Sequence, residues 1–90
     1  MFKTLEELFT VIRKRKGSST EESYTKKLLN DKNLSVKKVK EEIAELIDSI
    51  EKNSNKAHEA ADVFYHLMVL LEANGIKIED VMDELKKRQK

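Results

Sequence analysis

Ninety residues carry 18 Lys and Arg against 17 Asp and Glu, so a chain that is 39% charged has a net charge of only +1. That balance argues against a nucleic-acid binder, whose basic surface is lopsided, and no apolar run nears the roughly 18 residues a membrane helix needs. With no Cys, no Pro and only two glycines, Gly17 and Gly75, disulfides and thiolate metal sites are excluded and long helices are favoured: an all-α domain of four to five helices over residues 1–90.

The opening residues lack an apolar core and carry acids early, unlike a signal peptide, so a cytoplasmic location is expected. Thr4 and Glu7 have capping-box spacing. Leu5, Leu8, Phe9 and Ile12 then repeat at helical intervals, and Arg13 to Lys16 place positive charge at the helix end. Gly17-Ser18-Ser19 reads as a break. A short second helix is expected from about Glu21 to Leu29 with Thr20 as its cap, followed by a polar turn over Asn30-Asp31-Lys32-Asn33.

Ser35 is expected to cap the third helix. Its apolar seam would be Val36, Val39, Ile43, Leu46 and Ile50. Asn55 can cap a fourth helix carrying Ala60, Ala61, Val63, Phe64, Leu67, Met68, Leu70 and Leu71. Asn74-Gly75 is a stop signal. A last helix runs from about Ile78 to Lys87. A lone domain this small is only modestly stable, so a partner chain is expected.

The third helix contains Glu41, Glu42 and Glu45; Glu45 lies roughly 60° from Glu42 and roughly 40° from Glu41, so the three make one acidic patch. No base stands three or four residues after Glu42 or Glu45, and Lys38 is the only nearby candidate before them. Taken alone, these acids fit an ordinary solvated helix face. The fourth helix changes the weighting. Glu59, Asp62 and His66 share a face within roughly 60°, while apolar residues nearly encircle the helix, the pattern of a buried one. Buried carboxylates cost several kcal/mol unless protonated, paired or bound to a cation, and no Lys or Arg occurs between Lys56 and Lys77. A metal shared by two facing helices is the economical solution. An all-carboxylate set selects Mg²⁺, with Mn²⁺ as a substitute, and such a site usually serves a phosphate-bearing ligand.

Glu41-Glu42-x-x-Glu45 followed by Glu59-x-x-Asp62 resembles the signature of the MazG-like all-α pyrophosphohydrolases. Ser23-Tyr24-Thr25, Leu28-Leu29, Lys37-Lys38, Tyr65-His66 and the stretch from Gly75-Ile76 to Arg88 resemble the phosphoribosyl-ATP pyrophosphohydrolase branch, from Leu5 to Arg88. Glu21-Glu22 and Asn30 to Asn33 depart from that branch, where a proline and a glycine are often found.

The resemblance implies Mg²⁺-dependent hydrolysis of 1-(5-phosphoribosyl)-ATP to 1-(5-phosphoribosyl)-AMP and pyrophosphate, the second step of histidine biosynthesis. It also implies a homodimer that completes a helical bundle. Glu42, Glu45, Glu59 and Asp62 would bind Mg²⁺, with Glu41 either a ligand or a base acting through water. Lys37, Lys38, Arg13 and Arg15 are either phosphate partners or solvated charges. Ser23, Tyr24 and Thr25 either hydrogen-bond the ribose or a phosphate, or simply start a helix. His66 either orients a carboxylate or is a structural histidine. The alternatives are a house-cleaning nucleoside-triphosphate pyrophosphohydrolase with the same acidic cluster, and a non-enzymatic helical dimer whose acids serve solubility.

Overall fold

A computed structural model describes residues 2–17 and 23–89. Among them lie five α-helices and no strand: α1 Lys3–Gly17, α2 Tyr24–Asn30, α3 Lys32–Lys52, α4 Lys56–Ala73 and α5 Ile78–Arg88. The all-α expectation holds. No described helix is long and apolar enough to cross a membrane.

Local chemistry sets the boundaries, and several differ from the sequence expectation. The Phe2 carbonyl accepts the amides of Leu5 and Glu6, so Thr4 lies inside the first turn rather than capping it. The expected cap Thr20 and start Glu21 of the second helix lie outside the described residues. Ser23 caps α2, its Oγ accepting from the Lys26 amide at 3.1 Å.

The expected polar turn over residues 30–33 shrinks to Asp31 alone. Its amide donates to the Leu28 carbonyl, closing α2, while its Oδ1 accepts from the Leu34 amide at 3.0 Å, opening α3. A carboxylate is a strong cap at that position, which moves the start of α3 ahead of Ser35. Ser35 is instead buried within the helix, and its Oγ donates to the Leu28 carbonyl at 2.5 Å.

Asn53 and Asn55 take the left-handed conformation in the turn between α3 and α4. Asn55 occupies the cap position of α4 but makes no side-chain cap bond. At the other end, Gly75 has φ +70°; its amide bonds the Glu72 carbonyl and the Ile76 amide bonds the Leu71 carbonyl at 2.9 Å. That pair of bonds is a Schellman closure, which glycine makes without strain.

The α3 and α4 helices, about 31 Å and 27 Å long at 1.5 Å per residue, form the most extensive helix pair. The core lies on α1, α2 and α4, where Ile12, Leu28, Leu29, Val69 and Ala73 are buried, with Leu8, Leu34, Tyr65 and Met68 packed around them. Full burial of a residue such as Leu28 contributes about 1.5–3 kcal/mol. The α5 helix touches this body sparingly. Ile78 is its buried residue, and the Arg13 guanidinium reaches across to the Glu79 carboxylate, with Nη1 2.8 Å from Oε2.

The expected apolar seam of α3 is split in the single chain: Val39 is buried and Leu46 half-buried, while the rest is exposed. The least exposed stripe is Ser35, Val39, Glu42, Leu46 and Ser49. Val36, Ile43 and Ile50 are exposed, together with Ile47. On α4, Phe64 is 53% exposed and Leu67 36%, so α4 is not buried all round. The apolar pattern read from the sequence is present, but one chain covers only part of it.

Candidate metal centre between α3 and α4

A three-residue turn, Asn53 to Asn55, joins α3 to α4, which makes them antiparallel neighbours. The turn brings the two acidic faces together. One carboxylate oxygen from each of Glu42, Glu45 and Glu59 lies within 4.8 Å of the others. Asp62 falls in an overlapping group with Glu59 and His58, whose Nε2 is 3.5 Å from Asp62 Oδ2. The acids expected to act together therefore form two overlapping sets that share Glu59.

The environment is costly for charge. Glu42 Oε2 and Glu59 Oε2 are buried without a hydrogen-bond partner. Burial, then the charges of Glu45, Asp62 and Glu59, raise the Glu42 carboxyl above its ordinary value. Burial and the neighbouring Glu45 raise Glu59 as well. Unpaired buried acceptors are rare in folded proteins, and a hard divalent cation is a partner that carboxylate oxygens of this kind can take. The donor set, all carboxylate apart from the exposed His58, fits Mg²⁺ better than a thiophilic or imidazole-loving metal.

Glu41 is not among the converging oxygens. It pairs with Lys38, Nζ to Oε2 at 3.2 Å. Lys38 is half-buried on α3, and its charge acts on Tyr24 and His66, so it belongs to the rim of the site. Lys37 is exposed on the same helix.

Arg13 is drawn elsewhere. Besides Glu79 it contacts Glu72, Nε to Oε2 at 3.6 Å, and sits over the Phe9 ring at 5.4 Å. Glu72 lies thirteen residues beyond Glu59 on α4, about 20 Å along the axis. Arg13 thus anchors α5 instead of meeting the acids. No hydrogen bond or ion pair among the described residues joins Arg15 to the acidic cluster.

The Ser23-Tyr24-Thr25 triplet opens α2 against the site. Ser23 caps the helix, Thr25 Oγ1 and the Tyr65 hydroxyl are hydrogen-bonded, and Tyr24 meets the edge of the His66 ring at a centroid distance of 5.9 Å. His66 is 7% exposed, and its Nε2 lies 3.8 Å from Glu42 Oε1. Burial lowers its pKa below the ordinary histidine value. The spacing Glu59, Asp62, His66 placed this ring on the acidic face, but its approach to Glu42 crosses between helices and leaves no trace in a linear spacing.

The family model described as phosphoribosyl-ATP pyrophosphohydrolase matches residues 5–89. The chloroplastic histidine biosynthesis bifunctional protein of Arabidopsis thaliana is 44% identical over 93 residues, covering 94% of this chain and 33% of that protein. The histidine biosynthesis bifunctional protein of Thermotoga maritima is also 44% identical, covering 93% of this chain and 44% of its own length. The phosphoribosyl-ATP pyrophosphatase of Caulobacter sp. strain K31 is 40% identical, covering 99% of this chain and 85% of that protein. The chain therefore spans less than half of the bifunctional relatives and most of the shorter one. On a match running through all five helices and every acid of the cluster, the chain belongs to the phosphoribosyl-ATP pyrophosphohydrolase family.

Proposed function

We propose that this chain hydrolyses 1-(5-phosphoribosyl)-ATP to 1-(5-phosphoribosyl)-AMP and pyrophosphate in a Mg²⁺-dependent reaction, the second step of histidine biosynthesis. The observation that carries the reading is that Glu42 on α3 and Glu59 on α4 each bury an unpartnered oxygen while one oxygen from each lies within 4.8 Å of the other and of Glu45. Family membership supplies the substrate.

Glu42, Glu45 and Glu59 would hold the ion, with Asp62 extending the set through Glu59. When bound, Mg²⁺ supplies charge neutralisation on the phosphate oxygens and a lower pKa for a coordinated water. The chain's own residues do the rest. The carboxylates orient the attacking water toward the α-phosphorus, whose bond to the bridging oxygen breaks to release pyrophosphate. Lys38, already beside Glu41, offers a cation to the polyphosphate. Tyr24 and Tyr65 pack against the His66 ring beside Glu42.

The active unit is a homodimer in this reading. Its support is the exposed stripe of Val36, Ile43, Ile47 and Ile50 on α3, with Phe64 and Leu67 on α4. Monomeric proteins rarely leave a contiguous apolar surface of that kind uncovered.

The test is pyrophosphate release by the purified chain with MgCl₂, comparing phosphoribosyl-ATP with a panel of deoxynucleoside triphosphates. The reading expects turnover of phosphoribosyl-ATP well above the panel. Preference for the deoxynucleotides would assign the chain to the house-cleaning alternative.

A further inference from the structure

Beside the acids, the His66 ring has two aromatic neighbours and one carboxylate. His66 projects from α4 into the gap between α2 and α3 and is nearly fully buried. Tyr24 packs edge-on at 5.9 Å and 86°, and Tyr65 at 5.0 Å and 78°. Tyr65 is itself fixed by its hydroxyl bond to Thr25, and Thr25 is placed by the Ser23 cap of α2. The ring's Nε2 lies 3.8 Å from Glu42 Oε1. The other oxygen of that carboxylate, Oε2, is the buried one without a partner.

We infer that His66 is a positioning residue, donating from Nε2–H to Glu42 Oε1 so that Glu42 Oε2 is presented to the ion, with Ser23, Tyr24 and Thr25 acting as the frame that fixes the ring. The inference rests on the metal reading above.

The physical reasons are these. A carboxylate on a flexible glutamate stem has several rotamers, and a single ligand oxygen gains little from being near an ion if the other oxygen is free to swing. A hydrogen bond to one oxygen fixes the plane of the group and leaves the second aimed. A buried neutral imidazole carries one N–H, so only the Nε2-protonated tautomer can do this. The present separation of 3.8 Å exceeds a hydrogen bond, so the proposed role requires the contact to shorten when an ion binds. A merely structural histidine would need a partner, but not one that is a member of the acidic cluster. The triplet on α2 then acts through the ring instead of touching the substrate.

The experiment uses the full chain and MgCl₂ alone. The sequence contains only two histidines, His58 and His66, so ¹⁵N correlation spectra of the imidazoles are simple to assign. Saturation with Mg²⁺ is expected to leave His66 protonated at Nε2 and to shift that nitrogen. Calorimetry is expected to show Mg²⁺ affinity reduced about 10–100-fold in His66→Phe, and largely restored in His66→Gln, whose amide N–H lies near the Nε2 position. A wild-type His66 carrying its proton on Nδ1 alone in the Mg²⁺ form overturns the inference, and this readout needs no variant to fold. So does a folded His66→Phe that binds Mg²⁺ within about twofold of wild type. If the wild type itself binds no Mg²⁺ at millimolar concentration, the metal reading falls and takes this inference with it; the other two results overturn the histidine's role and leave the metal reading standing.

Discussion

Glu42 on α3 and Glu59 on α4 each bury one carboxylate oxygen with no hydrogen-bond partner, and oxygens of both lie within 4.8 Å of a third acid, Glu45. Two helices joined by a three-residue turn thus bring like charges together in a poorly solvated place. Burial and mutual repulsion there raise the Glu42 and Glu59 carboxyls.

Removing one of these charges separates stability from function. Glu59→Gln is expected to raise the melting temperature in EDTA, because repulsion with Glu45 and Asp62 is relieved. The same change is expected to weaken Mg²⁺ binding at least 10-fold and to lower pyrophosphate release in parallel. Differential scanning calorimetry with and without MgCl₂, beside a turnover assay, reads both effects. A lower melting temperature in EDTA would contradict the electrostatic account.

The same strain has a pH signature. The Glu42 carboxyl is raised above its ordinary 4.5 by burial first and by its acidic neighbours second. The folded state therefore holds this proton longer than the unfolded chain does, and stability falls as pH rises through the folded value. In EDTA the wild type is expected to fall increasingly below Glu42→Gln in melting temperature between pH 4.5 and pH 7. A constant offset across that range would show that Glu42 titrates normally.

The helices and the acids on their facing sides were legible in the sequence because a 3.6-residue period maps positions onto faces. The convergence of Glu42, Glu45 and Glu59 followed once two such faces adjoined through a short turn. What was not legible came from competition between caps and from contacts across helices. Asp31 displaced Ser35 as a cap because its carboxylate reaches the Leu34 amide. Glu41 turned to Lys38, and Arg13 to Glu72 and Glu79, choices that depend on where helices pack. The apolar seam of α3 was legible as a pattern, but a period does not say that Val39 turns into this chain while Val36, Ile43 and Ile50 stay exposed.

Arg13 offers a control at a distance. Its guanidinium holds the Glu79 carboxyl down to about 2 from its ordinary 4.5, so the pairing contributes above pH 4.5 and is lost as pH falls toward 2. Arg13→Gln is expected to speed amide hydrogen exchange in α5 several-fold while leaving Mg²⁺ affinity within about twofold of wild type, since the acidic cluster lies about 20 Å away along α4. A large loss of Mg²⁺ affinity would mean that Arg13 communicates with the acids.

The uncovered apolar stripe makes a separate prediction. Sedimentation velocity at micromolar concentration is expected to give a dimer for the wild type. Ile47→Asp, at a position 53% exposed in the single chain, is expected to shift the population to monomer because a charge buried in an apolar interface is strongly disfavoured. A monomeric wild type would remove the dimer from the proposal.

The most direct measurement is anomalous diffraction from crystals grown with MnCl₂, which locates the ion without relying on activity. The account predicts a peak within about 2.5 Å of oxygens from both Glu42 and Glu59, with Glu45 or Asp62 completing the set. A fully occupied Mn²⁺ elsewhere, with these carboxylates turned apart into solvent, would contradict it.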